Sequence, residues 1–205
     1  MNDWRGKMTE LIKYFDTIKD EITGLIDHVS VSDLDKAKNC IISAKKNGKR
    51  LHVTGIGKPS YVAGYIASLL SSTGTPTYFL DGTEAVHGSS GQVVEGDVVI
   101  ALSNSGETQE LKDTITTLKN NGAILISVTG NLNSWIAKHS DISLFAGVSK
   151  EGDSLNKPPR ASIVAEVLIL QSLSILLQEE FGLNPQQYVK WHPGGTLGQS
   201  INQTM

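Results

Sequence analysis

The chain has 205 residues, 39% of them hydrophobic and 19% charged, and carries a formal net charge of −3 at pH 7. This size and composition are ordinary for a folded globular protein, so we expect one domain over residues 1–205. The weak negative charge excludes the basic surface with which proteins hold nucleic acid or an acidic membrane. The single cysteine, Cys40, excludes an internal disulfide and a CxxC metal site.

Residues 1–49 predict a pair of helices. Apolar residues recur every three or four positions from Met8 to His28, which is the period of an amphipathic helix. No apolar signal region precedes them, so we expect a cytoplasmic protein. A second helix is predicted to begin with Ser32 as its N-cap and to end at Gly48, after a run of cations. Cys40 should lie half-buried on this helix.

Five short apolar runs follow and predict five strands, with an α/β core over residues 50–182. The runs are LHVTG, TPTYFL, DVVIALS, AILISVTG and DISLFAG. Segments able to form helices separate the first four, at residues 61–72, 84–90 and 108–120, and such alternation is typical of a parallel sheet. The central runs are apolar at consecutive positions, as in strands covered on both faces. We therefore expect a five-stranded parallel sheet sandwiched by helices, flavodoxin- or Rossmann-like.

A long helix is predicted from Ala161 to Phe181, and its stretch ASIVAEVLILQSLSILLQ is apolar almost all round, broken by Glu166 and Gln171. A membrane span would need a longer run without charge. The pattern fits better with a helix that the sheet covers on one side and a second subunit covers on the other. We therefore expect a homo-oligomer that does not bind a membrane. A C-terminal helix and tail should occupy residues 183–205.

The loop TGIGKPS follows the first predicted strand, at the end where open parallel sheets bind ligands. Gly55 and Gly57 allow the backbone to approach a ligand closely, and Lys58 stands beside them. The P-loop pattern GxxxxGK[ST] is absent, and Ser60 occupies the third glycine position of a dinucleotide fingerprint. We therefore expect no nicotinamide, flavin or other cofactor.

The loop SNSGET, after the third strand, suits a phosphate monoester. Its donors are three hydroxyls and two backbone N–H groups, from Ser103, Ser105 and Thr108 and from Asn104 and Gly106. The helix that follows adds its positive end. Glu107 and Glu110 would be repelled by a bound phosphate, so we expect one of them to point away from it, towards the reacting carbons or a partner group, and we count Glu107 among the candidate substrate contacts.

Two of the five histidines are candidates for acid–base chemistry. His87 lies in a turn of small residues and His192 in a glycine-rich context, whereas His28 and His139 fit surface positions. His52 falls within the first strand, where a hydrogen-bonded core position is expected. The wide spacing of the histidines argues against a metal site.

The motifs GIGK, STGTP, EAVHGSSG, SNSGET, SKEGD and HPGGTLG, in this order, resemble the sugar isomerase (SIS) domain of D-arabinose 5-phosphate isomerases. The resemblance extends from about Gly55 to Gly198. It implies a five-stranded parallel sheet and interconversion of an aldose 5-phosphate with a ketose 5-phosphate, without cofactor. It also implies a homodimer or homotetramer with sites shared between subunits.

The resemblance also implies roles for single residues. The implied catalytic residues are Lys58, His87, Glu110, Glu151 and His192, and the implied phosphate ligands are Ser103, Ser105 and Thr108. His192 would open the sugar ring, since its ordinary pKa lies near neutral pH. A carboxylate would then move a proton between C1 and C2 through an enediol, with Glu151 the first choice and Glu110 the second. Lys58 would stabilise charge on oxygen and His87 would hold sugar hydroxyls.

Three departures from the family pattern bear on the substrate. Pro59 follows the lysine of the first loop where relatives have serine, and it removes one N–H donor. Relatives carry hydroxyls before the long helix, where the segment Asp153–Ile163 has Lys157 and Arg160. These cations could meet a phosphate or a different anion, or form an exposed basic loop. Relatives often continue into two CBS domains, so we expect regulation through such domains to be missing here.

Two alternatives stay open at this point. One is another SIS isomerase, such as one acting on 3-hexulose 6-phosphate. The other is a sugar-phosphate-binding module that senses its ligand without converting it, for which ligand would raise the melting temperature without turnover.

Overall fold

The computed structural model describes residues 3–192, with side chains from residue 8 onward. The strands are β1 Leu51–Gly55, β2 Thr77–Phe79, β3 Val98–Leu102, β4 Ile124–Thr129 and β5 Ile142–Phe145. The helices are α1 Asp3–Asp27, α2 Val31–Lys46, α3 Lys58–Ser72, α4 Gly82–Ala85, α5 Gln109–Asn120, α6 Trp135–His139, α7 Ala161–Phe181 and α8 Pro185–Trp191. A 3-10 turn at Ser89–Gln92 lies between α4 and β3.

The five strands form one parallel sheet in the order β2-β1-β3-β4-β5. This is the flavodoxin-like order, and it confirms the predicted fold class. The chain leaves β1 for the edge strand β2 and then returns to β3 on the other side of β1. Gly55 pairs with Leu102, so the carboxyl ends of β1 and β3 lie side by side at this switch in strand order. Ligands bind at such a point in open α/β sheets.

Helices cover both faces of the sheet, which explains the continuous apolar runs of the central strands. In β3, Val98, Ile100 and Leu102 pack into the core cluster shared with α2, α3 and α7. Val99 and Ala101 point the other way, into a second cluster with α4, α5 and α6. Every residue of β3 is therefore buried, and alternation between apolar and polar residues is lost.

Three predicted helix boundaries were wrong. Ser30, not Ser32, caps α2, because its hydroxyl accepts the N–H of Asp33 at 3.2 Å and the helix has already begun at Val31. α3 begins three residues before the predicted Tyr61, since proline is favoured in a first helical turn. The predicted helix over 84–90 is instead the single turn α4 and the separate 3-10 turn, divided at Gly88 with φ 116°.

His52 lies near the amino-terminal end of β1, away from the switch in strand order. It is buried as predicted, and neither ring nitrogen makes a hydrogen bond of good geometry among the described residues. Its Nε2 lies 3.5 Å from the carboxylate of Asp97, which also forms an ion pair with Arg50 at 3.0 Å. Burial lowers the pKa of His52, although the charge of Asp97 opposes that shift.

α7 packs against α1, α2 and α3. By length and composition it could cross a membrane, yet 50% of its most apolar stretch is buried within the described part of the protein. Such burial is typical of a core helix. The predicted C-terminal helix is present as α8, while the tail from Pro193 lies outside the described residues. The assignment of residues 1–205 to a single domain stays a prediction.

Candidate functional site

The SNSGET loop leaves β3 at the switch in strand order and is held in place by neighbouring strands. The N–H of Ser103 donates to the carbonyl of Val128 at 3.0 Å, which extends the pairing of β3 with β4 by one residue. The carbonyl of Asn104 accepts the N–H of Gly130 at 2.9 Å. The loop therefore starts from a rigid strand end.

The three hydroxyls of the loop gather around the start of α5. Ser103 Oγ accepts the N–H of Gly106 at 3.1 Å and lies 3.5 Å from Thr108 Oγ1. Ser105 Oγ accepts the N–H of Glu107 at 3.2 Å. Thr108 is the N-cap residue of α5, and its hydroxyl makes no capping hydrogen bond. This arrangement offers hydroxyl donors and the positive end of a 12-residue helix to an anion.

Glycine is required at the centre of this loop. Gly106 has φ +68°, and a Cβ there would lie 2.1 Å from the Oγ of Ser134, the buried N-cap of α6. The close approach lets the Gly106 carbonyl accept the N–H of Ile136 at 3.2 Å. The SNSGET loop is thus packed directly against α6.

Glu107, predicted to contact substrate, points towards α6. Its carboxylate accepts the N–H of Trp135 at 2.8 Å and forms a 2.5 Å ion pair with Lys112. The Lys112 ammonium, and then the Trp135 N–H, hold the pKa of Glu107 below its usual value. Of the two acids in this stretch, Glu107 is the one directed away from the hydroxyls, and Glu110 is exposed in the first turn of α5.

The glycine loop after β1 leads directly into α3. A Cβ on Gly55 would lie 2.9 Å from the backbone of Pro59, and Gly57 has φ +67° as the N-cap residue of α3. The hydroxyl of Ser60 donates to the Gly57 carbonyl at 2.6 Å, so it is already used within the loop. Lys58 is exposed and lines a cavity of about 370 Å³ between α3 and the start of α7.

Glu151 caps the start of α7. It is 9% exposed, and its Oε2 accepts the backbone N–H groups of Arg160 at 2.6 Å and Ser162 at 3.1 Å. No hydrogen bond to its Oε1 occurs among residues 3–192. The guanidinium of Arg160 pairs with Asp153 at 2.6 Å, so this cation is engaged within its own loop. Pro159, next to Arg160, lines the same cavity as Lys58, which places the Lys58 and Glu151 loops beside each other.

The two candidate histidines lie in different places. His87 is exposed just after α4, which packs on the first turns of α5 because Thr114 Oγ1 donates to the Gly82 carbonyl at 2.6 Å. His192 stacks on Tyr188 at the end of α8, with a ring-to-ring distance of 3.9 Å. The neighbouring Trp191 packs against the turn that precedes β2, 3.7 Å from the position of a Cβ on Gly74. His192 therefore lies near the amino-terminal ends of the strands, whereas Ser103 of the same chain lies at their carboxyl ends.

Glu166 was not predicted as part of any site. It lies on α7 with 0% exposure, and burial, followed by the charge of Glu151, raises its pKa from 4.5 to about 8. The only signal in the sequence was an acid within the apolar part of the helix, ahead of Glu179 and Glu180 at its end, and such an acid can equally lie on an exposed face.

The fold and these loops define a doubly wound α/β protein with a hydroxyl-rich loop, leading into a helix N-terminus, where the strand order switches. Residues 45–175, more than half of the chain, match the family model of the SIS domain, and the chain belongs to this family.

Two of the curated relatives that match this chain carry the same name. Arabinose 5-phosphate isomerase KdsD of Pseudomonas aeruginosa is 37% identical over 183 residues, which are 89% of this chain and 55% of that protein. Arabinose 5-phosphate isomerase KdsD of Escherichia coli K12 is 37% identical over 149 residues, covering 73% of this chain and 45% of that protein. The chain thus spans about half the length of the curated relatives it matches.

A solved structure is similar over its whole length. It is the E. coli CFT073 protein c3406 in complex with arabinose 5-phosphate, and it superposes with a TM-score of 0.82 at 32% identity. The match covers 94% of this chain and 100% of that chain.

Proposed function

We propose that this chain is an aldose–ketose isomerase for a five-carbon sugar 5-phosphate, of the D-arabinose 5-phosphate and D-ribulose 5-phosphate type. The observation that carries the proposal is the group of hydroxyls of Ser103, Ser105 and Thr108 around the start of α5, at the switch in strand order. The names of the curated relatives, and the arabinose 5-phosphate bound in the similar structure, support this substrate class.

A phosphate in the SNSGET loop would leave the sugar carbons near the loops that follow β1 and β5. Parallel strands end at one edge of the sheet, so the Lys58 loop and the Glu151 segment border the same region as Ser103. The substrate needs a cationic partner for developing negative charge, and Lys58 has no ion pair among the described residues. Its ammonium would stabilise the enediolate oxygen.

The proton transfer between C1 and C2 needs a carboxylate with one oxygen available. Glu151 meets this requirement better than Glu110, because its Oε2 is anchored by two N–H groups while Oε1 accepts no described hydrogen bond. Anchoring reduces the freedom that a base loses on reaction. Glu110 is exposed and stays the second choice. The base takes a proton from C2 of the aldose and returns one to C1, and no cofactor takes part.

His192 would act in the site of a neighbouring subunit. In its own chain it follows Trp191, which packs beside the turn before β2, whereas Ser103 follows the carboxyl end of β3; these two ends of the sheet are separated by the length of a five-residue strand, about 15 Å. A homodimer or homotetramer in which α8 reaches the neighbour's SNSGET loop would bring ring-opening chemistry to the site. The exposed Tyr61, Tyr65 and Ile175 on α3 and α7 are apolar surface of the kind that subunits cover. A cytoplasmic location stays a prediction.

The test is turnover of D-arabinose 5-phosphate by the purified protein, followed as ketose formation. Ser103→Ala removes a hydroxyl that would bind the phosphate, and we expect KM to rise about 10-fold or more. Ser32→Ala, on an exposed position of α2, is the matched control and should leave KM unchanged. Absence of ketose in the unsubstituted protein would contradict the proposal, and binding without turnover would indicate a sensor.

Mixing of subunits tests the shared site. Lys58→Ala and His192→Ala should each be inactive alone. In a dimer whose sites take one residue from each subunit, equal mixing should restore about a quarter of the activity, because hybrid dimers contain one intact site. Failure to recover activity, with hybrids demonstrated by native mass spectrometry, would place His192 outside the neighbour's site.

A further inference from the structure

Glu166 lies on the buried side of α7, and its carboxyl group has no hydrogen-bond partner among residues 3–192. The hydroxyl of Ser162, one turn earlier on the same side of the helix, is also buried and without a described partner. Buried polar groups are nearly always hydrogen-bonded, and an unpaired buried charge is costly. The presence of two buried polar side chains without partners on adjacent turns of α7 therefore requires an explanation.

Helix geometry directs Glu166 towards Glu151. Glu151 is fixed at the start of α7 because its Oε2 accepts the N–H of Ser162 at 3.1 Å. Glu166 follows Ser162 by four residues, or about 6 Å along the helix axis. Side chains on a helix lean towards its N-terminus, so the Glu166 carboxyl reaches back to the turn that holds Glu151. The two acids share one buried region.

The other titratable groups that border α7 leave Glu166 unpaired. On α3, the titratable groups are Lys58, Tyr61 and Tyr65, which line the cavity beside Ile163. Those of α2 are Cys40 in the core cluster, Lys45 over the ring of Phe181, and Lys38 near Glu180. α1 meets this cluster through the apolar Ile22 and Leu25. No described cation forms an ion pair with Glu166, and the charge that acts on it is that of Glu151.

We propose that Glu166 is a positioning residue that stays a neutral carboxylic acid, so that Glu151 is the single negative charge of this buried region and keeps its place at the start of α7. The inference rests on the proposed function, in which Glu151 is the enediol base. Ionisation of Glu166 would repel the Glu151 carboxylate from the helix N-terminus. It would also oppose the negative charge that develops on the enediolate.

The proton affinity of Glu166 sets the pH at which this arrangement fails. Burial first, and the charge of Glu151 second, raise the pKa of Glu166 to about 8. The acid is therefore neutral at pH 7 and loses its proton just above that range. This predicts an alkaline limb in the pH profile of kcat/KM, falling about tenfold per pH unit, that belongs to Glu166.

The experiment compares kcat/KM for D-arabinose 5-phosphate from about pH 6 to about pH 10 in matched variants. Glu166→Gln keeps the shape and removes the ionisation, and Glu166→Met removes it with an apolar side chain in case glutamine is not tolerated. Glu179→Gln makes the same change at an exposed position of α7 and is the control. Circular dichroism checks the fold of each variant, and urea unfolding against pH gives a measurement that needs no substrate.

In the unsubstituted protein and in Glu179→Gln, we expect kcat/KM to decline near pH 8. In a folded Glu166 variant, we expect this decline to move upward by about one pH unit or more. Superimposable profiles would overturn the positioning role, because a structural role alone leaves the limb in place. An unchanged pH dependence of unfolding in both Glu166 variants would show that Glu166 is not held neutral and would overturn it too. Absence of turnover in the unsubstituted protein overturns the proposed function itself, and the unfolding series still reports the protonation of Glu166.

Discussion

Replacing Gly106 by alanine tests how closely the SNSGET loop is packed against α6. The new Cβ would lie 2.1 Å from Ser134 Oγ and 2.4 Å from Ser134 Cβ, so Ser134 must move. Ser134 is 1% exposed and its Oγ accepts the N–H of Ala137, so its movement removes the N-cap of α6. The φ of +68° at this position adds strain that any L-residue would suffer.

These effects give the expected size of the change. Positive φ costs about 1 kcal/mol, a lost N-cap about 1 kcal/mol and overpacking of a tight site about 1–3 kcal/mol. We expect a loss of about 4 kcal/mol in the free energy of unfolding, or roughly 10 °C in Tm for a chain of this length. The variant should remain folded at room temperature, since domains are stable by about 5–15 kcal/mol.

The assay is thermal unfolding beside a matched control. Gly48 has φ +70° with nothing within 4 Å of its Cβ position, so Gly48→Ala carries the strain of positive φ without the steric conflict. It should lose only about 1 kcal/mol. Equal destabilisation of the two variants would refute the packing of Gly106 against Ser134. Recovery of Tm in the double variant Gly106→Ala with Ser134→Gly would locate the conflict at that contact.

Three further predictions concern the buried acids Glu166 and Asp97 and the hydroxyl of Ser60, which already donates a hydrogen bond. The raised pKa of Glu166 means that its contribution to stability is complete below 4.5 and is lost as pH rises to about 8, so Glu166→Gln should gain about 3 kcal/mol in urea unfolding at pH 7 and little at pH 4. For Asp97, burial acts to raise the pKa, but the N–H groups of Arg50 and Val94 and the charge of Arg50 outweigh burial and lower the pKa below 3.8. The stabilisation by the Asp97 carboxylate is therefore lost as pH falls below 3.8. Asp97→Asn should therefore cost about 2 kcal/mol at pH 7 and less under acid, by the same unfolding assay. Ser60→Ala should raise KM less than Ser103→Ala in steady-state kinetics, because the Ser60 hydroxyl already donates to a carbonyl.

The layered fold could be predicted because both faces of the sheet are covered. Consecutive apolar residues such as Val98 and Val99 enter opposite core clusters, and that pattern is visible without coordinates. The position of Ser103 at a strand end followed from the same run. Helix starts were mispredicted where two residues compete for the same capping role. At α2 both Ser30 and Ser32 can serve as an N-cap, and only Ser30 accepts the capping hydrogen bond from the N–H of Asp33.

The site was harder to predict where side chains meet across the fold. Glu107 and Glu110 look equivalent in sequence, and the approach of Lys112 and the Trp135 N–H directs Glu107 to α6. No sequence pattern indicated that the Glu151 carboxylate holds the N–H groups at the start of α7, and none places Glu166 on the same buried region. These relations depend on how a loop of about ten residues folds back, which periodicity does not encode.

The central claim is that the chain interconverts an aldose 5-phosphate and a ketose 5-phosphate through an enediol. We would incubate the purified protein with D-arabinose 5-phosphate in deuterium oxide and follow the sugar by NMR. The account predicts D-ribulose 5-phosphate with solvent deuterium on C1, because the base returns a proton exchanged with the solvent to that carbon. No ketose, in a folded protein that D-arabinose 5-phosphate stabilises against heat, would contradict it and show that the site binds the sugar phosphate without converting it.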